Sequence, residues 1–220
     1  MHKARTSIAL VVFAASCLCA KADLNWFLRP EMGRLDFPSR HYSNEPCYGI
    51  EIGRQFGPQG AHEVNLEWTR SNLEYSAFPD PKLIGGASII ASGHIQPILV
   101  GYRYYFGPAG SRLRFFAGPS FGMAKASVDV SYWADLPVQF RGTTDRWRFC
   151  SGGKAGLALS LTPKCSLQIG YRYLLMTDLG YFNTSGSSSN YNDGAMQYAV
   201  IRLNSINATH LFFSALSFSF

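Results

Sequence analysis

Apolar and polar residues alternate with a period of two along most of the chain. Between Ser166 and Leu175, Leu167, Ile169, Tyr171, Tyr173 and Leu175 share one parity, and Ser166, Gln168, Gly170 and Arg172 the other. Residues 98–106 repeat the pattern: Ile98, Val100, Tyr102, Tyr104 and Phe106 stand against Gly101 and Arg103. Val64, Leu66 and Trp68 face away from Glu63, Asn65, Glu67 and Thr69. Leu113, Phe115 and Phe121 oppose Arg114, Gly118, Ser120 and Gly122, and Phe149, Leu157 and Leu159 oppose Arg148, Gly152, Lys154 and Ser160. The last residues alternate too, with Phe212, Leu216, Phe218 and Phe220 on one face and Ser217 and Ser219 on the other. Successive side chains of a strand point to opposite faces, so the pattern predicts strands with one greasy and one polar face.

Turn residues divide these runs. Gly57-Pro58-Gln59-Gly60, Gly107-Pro108-Ala109-Gly110 and Thr162-Pro163-Lys164 each read as a tight hairpin connection. Longer polar stretches lie at 36–46, 79–91, 133–145 and 180–209, the last containing the low-complexity run NTSGSSSNYNDG. Long and short connections alternate, giving eight strands near 25–35, 47–57, 61–78, 92–106, 112–132, 146–161, 166–179 and 209–220. The segment Gln197–Ser205 also alternates, and reads either as an extension of the eighth strand or as a short extra one.

The polar parity decides what the greasy face meets. It collects Arg29, Glu31, Glu51, Glu63, Glu67, Arg103, Arg114, Arg148, Lys154 and Arg172, together with Gly53, Gly101, Gly118, Gly122, Gly152, Gly156 and Gly170. In a soluble barrel or sandwich those charges would face water. In a membrane barrel they face a narrow lumen and the aromatics face lipid. The abundant small residues, the one-sided loop lengths and the Tyr and Trp near strand ends favour the second. The predicted fold is all-β: an eight-stranded antiparallel up-and-down transmembrane β-barrel with short periplasmic turns and four long extracellular loops.

Composition narrows the setting. The 220 residues hold 15% charged and 15% aromatic residues, with 21 Gly and a formal charge of +6. Three of the basic residues, Lys3, Arg5 and Lys21, fall in an N-terminal segment without acids, leaving 17 − 14 = +3 from residue 23 onward. That excess is too mild to imply nucleic acid. The segment pairs its basic start with an apolar run from Ile8 to Ala20 and Ala20-Lys21-Ala22, the layout of a secretory signal peptide over residues 1–22. A membrane anchor and lipoprotein processing at Cys17 are the other readings of it. The apolar run is short for a membrane span, and Cys17 follows Ala14-Ala15-Ser16 without the usual preceding Leu. Residues 23–220 then form one barrel domain. They retain three cysteines, Cys47, Cys150 and Cys165, an odd number that fits small apolar fillers better than a disulfide framework, with Cys165 open to being a surface thiol.

The chain resembles the eight-stranded outer-membrane β-barrel superfamily of diderm bacteria, the opacity-protein and OmpA/OmpX-like group. The resemblance rests on the signal peptide, FLRPEMG, GYRYYFGP, FFAGPSFG, GGKAGLALSL, LQIGYRYLL and the terminal SFSF, and covers nearly all of residues 23–220. It implies an outer-membrane location. It also implies that Leu216, Phe218 and Phe220 resemble the terminal signal read by the barrel-assembly machinery. It implies little about activity, because such barrels include adhesins, structural proteins and a few enzymes.

Eight strands close a lumen that side chains can fill. Glu51, Glu63 and Glu67 are expected to pair there with Arg103, Arg114, Arg148, Lys154 and Arg172 and plug it, since buried charges left unpaired are costly. A narrow or gated pore is the functional alternative. A second class is an enzyme acting on outer-leaflet lipid: Ser92 and His94 share a face, and Glu74 on the facing strand could lie diagonal to His94. A soluble lipocalin-like binder would need an apolar lumen. His41, His62 and His210 are scattered, and the chain has no metal, nucleotide or cofactor motif. Two Asn-x-Ser/Thr triplets, at Asn183 and Asn207, carry little meaning in a bacterial envelope. The expected partners are membrane lipid, the assembly machinery and a surface ligand or host factor at the loops. The expected role is envelope structure or surface interaction and adhesion.

Overall fold

A computed structural model describes residues 26–36, 43–77, 88–108, 111–133, 138–177, 181–188, 196–202 and 208–220. The segment expected to be a signal peptide and most of the expected loop tips lie outside them. The strands are β1 (Trp26–Asp36), β2 (Glu45–Phe56), β3 (His62–Ala77), β4 (Ser88–Phe106), β5 (Leu113–Trp133), β6 (Val138–Thr162), β7 (Cys165–Met176), β8 (Tyr181–Ser188), β9 (Met196–Arg202) and β10 (Ala208–Ser219).

β1 to β7 pair in sequence order, all antiparallel, β7 pairs with β10, and β10 returns to β1. Those eight strands close an up-and-down barrel. Closure is drawn tight at the short-turn end, where the Phe220 amide donates to the Trp26 carbonyl at 2.9 Å. The short connections sit where the sequence places them. Gly57 and Gly60 take φ of 76° and 62° around a 3-10 turn, Pro58–Gly60, a conformation that suits glycine.

Two boundaries differ from the sequence reading. β4 begins at Ser88 and β6 at Val138, well inside stretches expected to be loops, and β5 and β6 pair continuously up to Trp133 opposite Gln139. Segment 197–205 does not prolong the last strand. Met196–Arg202 pairs with Tyr181–Ser188, which pairs with Val138–Arg141 at the top of β6. The NTSGSSS stretch therefore lies largely within a strand. The physical reason is common to all three. Beyond the apolar belt a chain still satisfies its backbone N–H and C=O groups by pairing with itself, so strands continue into stretches whose composition reads as loop.

The inside and outside of the barrel are inverted relative to a water-soluble protein. Ile169, Phe115 and Phe212 on the outer wall are 58%, 63% and 58% exposed, while Arg29 and Glu51 inside are 0% exposed. That is the arrangement of a transmembrane β-barrel, whose backbone polar groups are all consumed between strands. No described helix is long and apolar enough to cross a membrane.

Candidate functional site

The lumen is built from the inward parity of each strand, and its middle is an ion-pair network. β1 contributes Arg29 and Glu31, β2 Glu51, β3 Glu63 and Glu67, β4 Arg103, β6 Lys154 and β7 Arg172. Four acids meet four bases, all at most 5% exposed. Arg29 donates to Glu63 through Nη1 and Nη2, at 2.9 and 2.8 Å, and to Glu51 at 2.5 Å. Arg103 pairs with Glu51, lies 3.3 Å from Glu63, and donates to the Gln168 amide oxygen at 3.3 Å. Arg172 donates to Glu31 at 2.7 Å and pairs with Glu67. The Lys154 ammonium contacts Glu31 and Glu51 and lies 3.3 Å from Glu67.

Oxygen atoms of Glu31, Glu51 and Glu67 lie within 4.8 Å of one another, a spacing that could hold a metal ion. Lys154 places its own ammonium among them. With Arg103 and Arg172 on the same carboxylates, the chain's own cations occupy the cluster.

Three phenylalanines support the cations from below. Phe27 lies across from Gly53, Phe116 from Gly156 and Phe213 from Gly170. In each pair the ring covers the glycine: an added Cβ would come within 2.6–2.8 Å of a ring carbon. On these rings sit Arg29 (4.2 Å to the Phe27 centroid), Arg103 (5.2 Å to Phe116) and Lys154 (4.0 Å to Phe213). Glycine, ring and cation stack in three layers, and the cation–π attraction is strengthened where water is excluded.

The sequence-predicted residues fall as follows. Glu51, Glu63, Glu67, Arg103, Lys154 and Arg172 come together, joined by Arg29 and Glu31. Arg114 stands at the short-turn end, its guanidinium 4.6 Å from the Tyr105 ring centroid and 3.4 Å from the Gly60 carbonyl. Arg148 is half-buried toward the loops, opposite Ala124, and donates to the Trp147 carbonyl at 3.5 Å. Tyr105 was missed by the sequence reading. Its hydroxyl donates to Glu63 at 2.8 Å and accepts from Gln168 at 3.0 Å. Its parity, shared with Gly101 and Arg103, was the available clue.

The sequence reading expects the lumen to be plugged by its charge network, and the structure adds a second layer. On the loop side of the network most inward residues are apolar, among them Leu35, Cys47, Leu73, Ile95, Leu99, Val128, Cys150, Leu174, Met176 and Leu211, with Thr69, Ser71 and Thr209 buried beside them. Here the inward parity turns mainly apolar, making a second, greasier plug. Each fully buried Leu or Ile contributes roughly 1.5–3 kcal/mol. The cavity at the border of the two layers, lined by Cys47, Thr69, Arg172 and Leu174 among others, is about 20 Å³, room for roughly one water. Cys47 and Cys150 are buried in the greasy layer, and Cys165 is half-buried at the opposite end of β7, consistent with fillers and no disulfide.

Ser92, His94 and Glu74 share the outer face of the β3–β4 ladder. Ser92 is directly opposite Glu74 and His94 opposite Asn72, so Glu74 is diagonal to His94. On the other side Ser92 faces Asp129 and His94 faces Ser127. Leu216 and Phe218 lie on the outward parity of β10, half-buried, and Phe220 follows at its end.

No family model and no curated protein matches the chain. Among solved structures it is similar to a major outer membrane protein of Thermus thermophilus, at 10% identity and a TM-score of 0.51, covering 89% of this chain and 99% of that one. It also aligns with neisserial surface protein A, at 14% identity and a TM-score of 0.47, covering 89% and 97%. The N-terminal β-barrel domain of Pseudomonas aeruginosa OprF aligns at 15% identity and a TM-score of 0.40, covering 90% and 98%. At these identities the Thermus likeness speaks for the fold.

Proposed function

We propose that the protein is an outer-membrane β-barrel of a diderm bacterium, exported by a cleaved signal peptide. Its closed wall carries surface loops that act in envelope structure or in adhesion to a surface ligand or host factor. The observation that carries this reading is the filled lumen. Four acids and four bases neutralise one another in the middle, and an apolar layer closes the loop side. A passage for solutes needs space and unpaired polar lining, whereas this interior spends its charges on itself. With an even number of barrel strands both ends lie on the short-turn side, which in barrels of this plan is periplasmic, so the long connections face outward. Insertion is assigned to the barrel-assembly machinery, acting on the terminal strand with Leu216, Phe218 and Phe220.

Heat-modifiability tests the reading. Protein from a washed outer-membrane fraction is run unboiled and boiled in detergent gels. A faster unboiled band that shifts on boiling is expected. A single unshifted band, with the protein in the soluble periplasmic fraction, overturns it. In planar bilayers the same preparation is expected to give no stable conductance, and a reproducible single-channel step overturns the plugged lumen.

A further inference from the structure

We propose that Arg70 and Lys125 form a site on the outer wall for the phosphate of an anionic lipid in the leaflet at the loop end. The inference rests on the membrane-barrel reading above. Tyr48, Arg70, Gln96, Lys125 and Trp147 form one outward row across five strands. Tyr48 pairs with Arg70, Gln96 with Lys125 and Lys125 with Trp147. The unbroken register from Trp68–Ile98 to Ser71–Ile95 sets Arg70 opposite Gln96.

The row is a border. One step toward the short turns the outward residues are Ile50, Trp68, Ile98, Met123 and Phe149, all apolar. One step toward the loops come Pro46, Asn72, His94, Ser127 and Asp145. Arg70 therefore stands where hydrocarbon ends, beside the exposed rings of Tyr48 and Trp68 and in one row with Trp147, rings that suit headgroup depth.

Arg70 is half-buried, and its Nε is buried without an acceptor. Among the described residues no carboxylate, carbonyl or hydroxyl bonds its guanidinium. Arg34, two strands away on β1, differs: its Nε lies 3.3 Å from Asp36. A cation at the edge of the hydrocarbon without an anion is costly. The anion present at that depth is a lipid phosphate, which a guanidinium holds through two parallel hydrogen bonds. Lys125 is two strands away, ~10 Å by strand spacing. Both side chains are long enough to converge over the Gln96 amide.

The test uses the full mature protein folded in a neutral maltoside detergent. It is titrated with a short-chain phosphatidic acid, with the matching diacylglycerol and with inorganic phosphate, and bound lipid is read by native mass spectrometry. Wild type is expected to take the phosphatidic acid in preference to both controls. Arg70→Gln is expected to weaken binding roughly fivefold and Arg70→Gln with Lys125→Gln about 25-fold, the loss of one and two headgroup attractions. Arg54→Gln removes the same charge from an exposed position at the short-turn end, and is expected to change binding less than about twofold. Equal losses in the Arg54 and Arg70 variants, no loss at Arg70, or equal binding of inorganic phosphate overturns the proposal. Each variant is also run unboiled. A missing fast band in the wild type counts against the barrel itself, and a present one isolates the phosphate result.

Discussion

Arg29 on β1 grips Glu63 on β3 across the intervening strand, through two parallel hydrogen bonds of 2.9 and 2.8 Å. Both side chains are fully buried, so neither can fall back on water. Removing Arg29 leaves the buried network one positive charge short, with Glu63 held only by Arg103, Tyr105 and Gln55. Arg29→Ala is expected to cost about 3–5 kcal/mol, seen as a lower urea midpoint for the folded barrel in lipid vesicles. Replacing both, as in Arg29→Met with Glu63→Leu, is expected to recover part of that loss. A double variant less stable than Arg29→Ala would show that the pair stabilises beyond its own compensation.

Lys154 stands in the place of a metal ion among Glu31, Glu51 and Glu67. Lys154→Ala should leave a cage of carboxylates that calcium can enter. Added calcium is expected to raise the gel-shift temperature of this variant and to leave wild type unchanged. Equal responses in the two would mean the ion acts elsewhere.

The stacked rings make three lumen glycines intolerant of any side chain. An added Cβ at Gly170 would lie 2.7 Å from a Phe213 ring carbon and 2.6 Å from the Ala155 carbonyl oxygen. Gly170→Ala is expected to cost about 1–3 kcal/mol by overpacking. Gly153→Ala is the control: its nearest contact is the Gly118 carbonyl at 3.3 Å, and a cost below about 1 kcal/mol is expected. Urea unfolding of both variants checks the difference.

The outer-wall set of Ser92, His94 and Glu74 has the diagonal placement that acyl transfer would use. Position alone does not activate a serine; a base must hydrogen-bond it and an acid must orient that base. Ser92→Ala is expected to leave the lipid profile of the outer membrane unchanged by mass spectrometry. A lost or gained acyl chain in the variant would establish an enzyme.

Much of the barrel was legible because a period of two is a local property. The parity of Glu63, Arg103 and Lys154 could be read from their immediate neighbours, and it put them inside. The turns at Gly57 and Gly107 were legible for the same reason, since glycine at positive φ is a local requirement. Strand ends beyond the apolar belt were not. There the β5–β6 ladder continues through Gly142, Thr143 and Thr144, a polar stretch that reads as loop.

The sequence by itself determined which residues share a face of each strand, because alternation is set by immediate neighbours. Only the tertiary structure decided who meets whom. Lys154 reaches Glu31 across 123 residues of chain, and Phe213 covers Gly170 because β10 returns beside β7 in one register. A shift of one residue in that pairing would turn every side chain of β10 to the wrong face. Register and shear are properties of the closed barrel, so partnerships across the lumen, and the row that joins Arg70 to Lys125, exist only once all eight strands have closed.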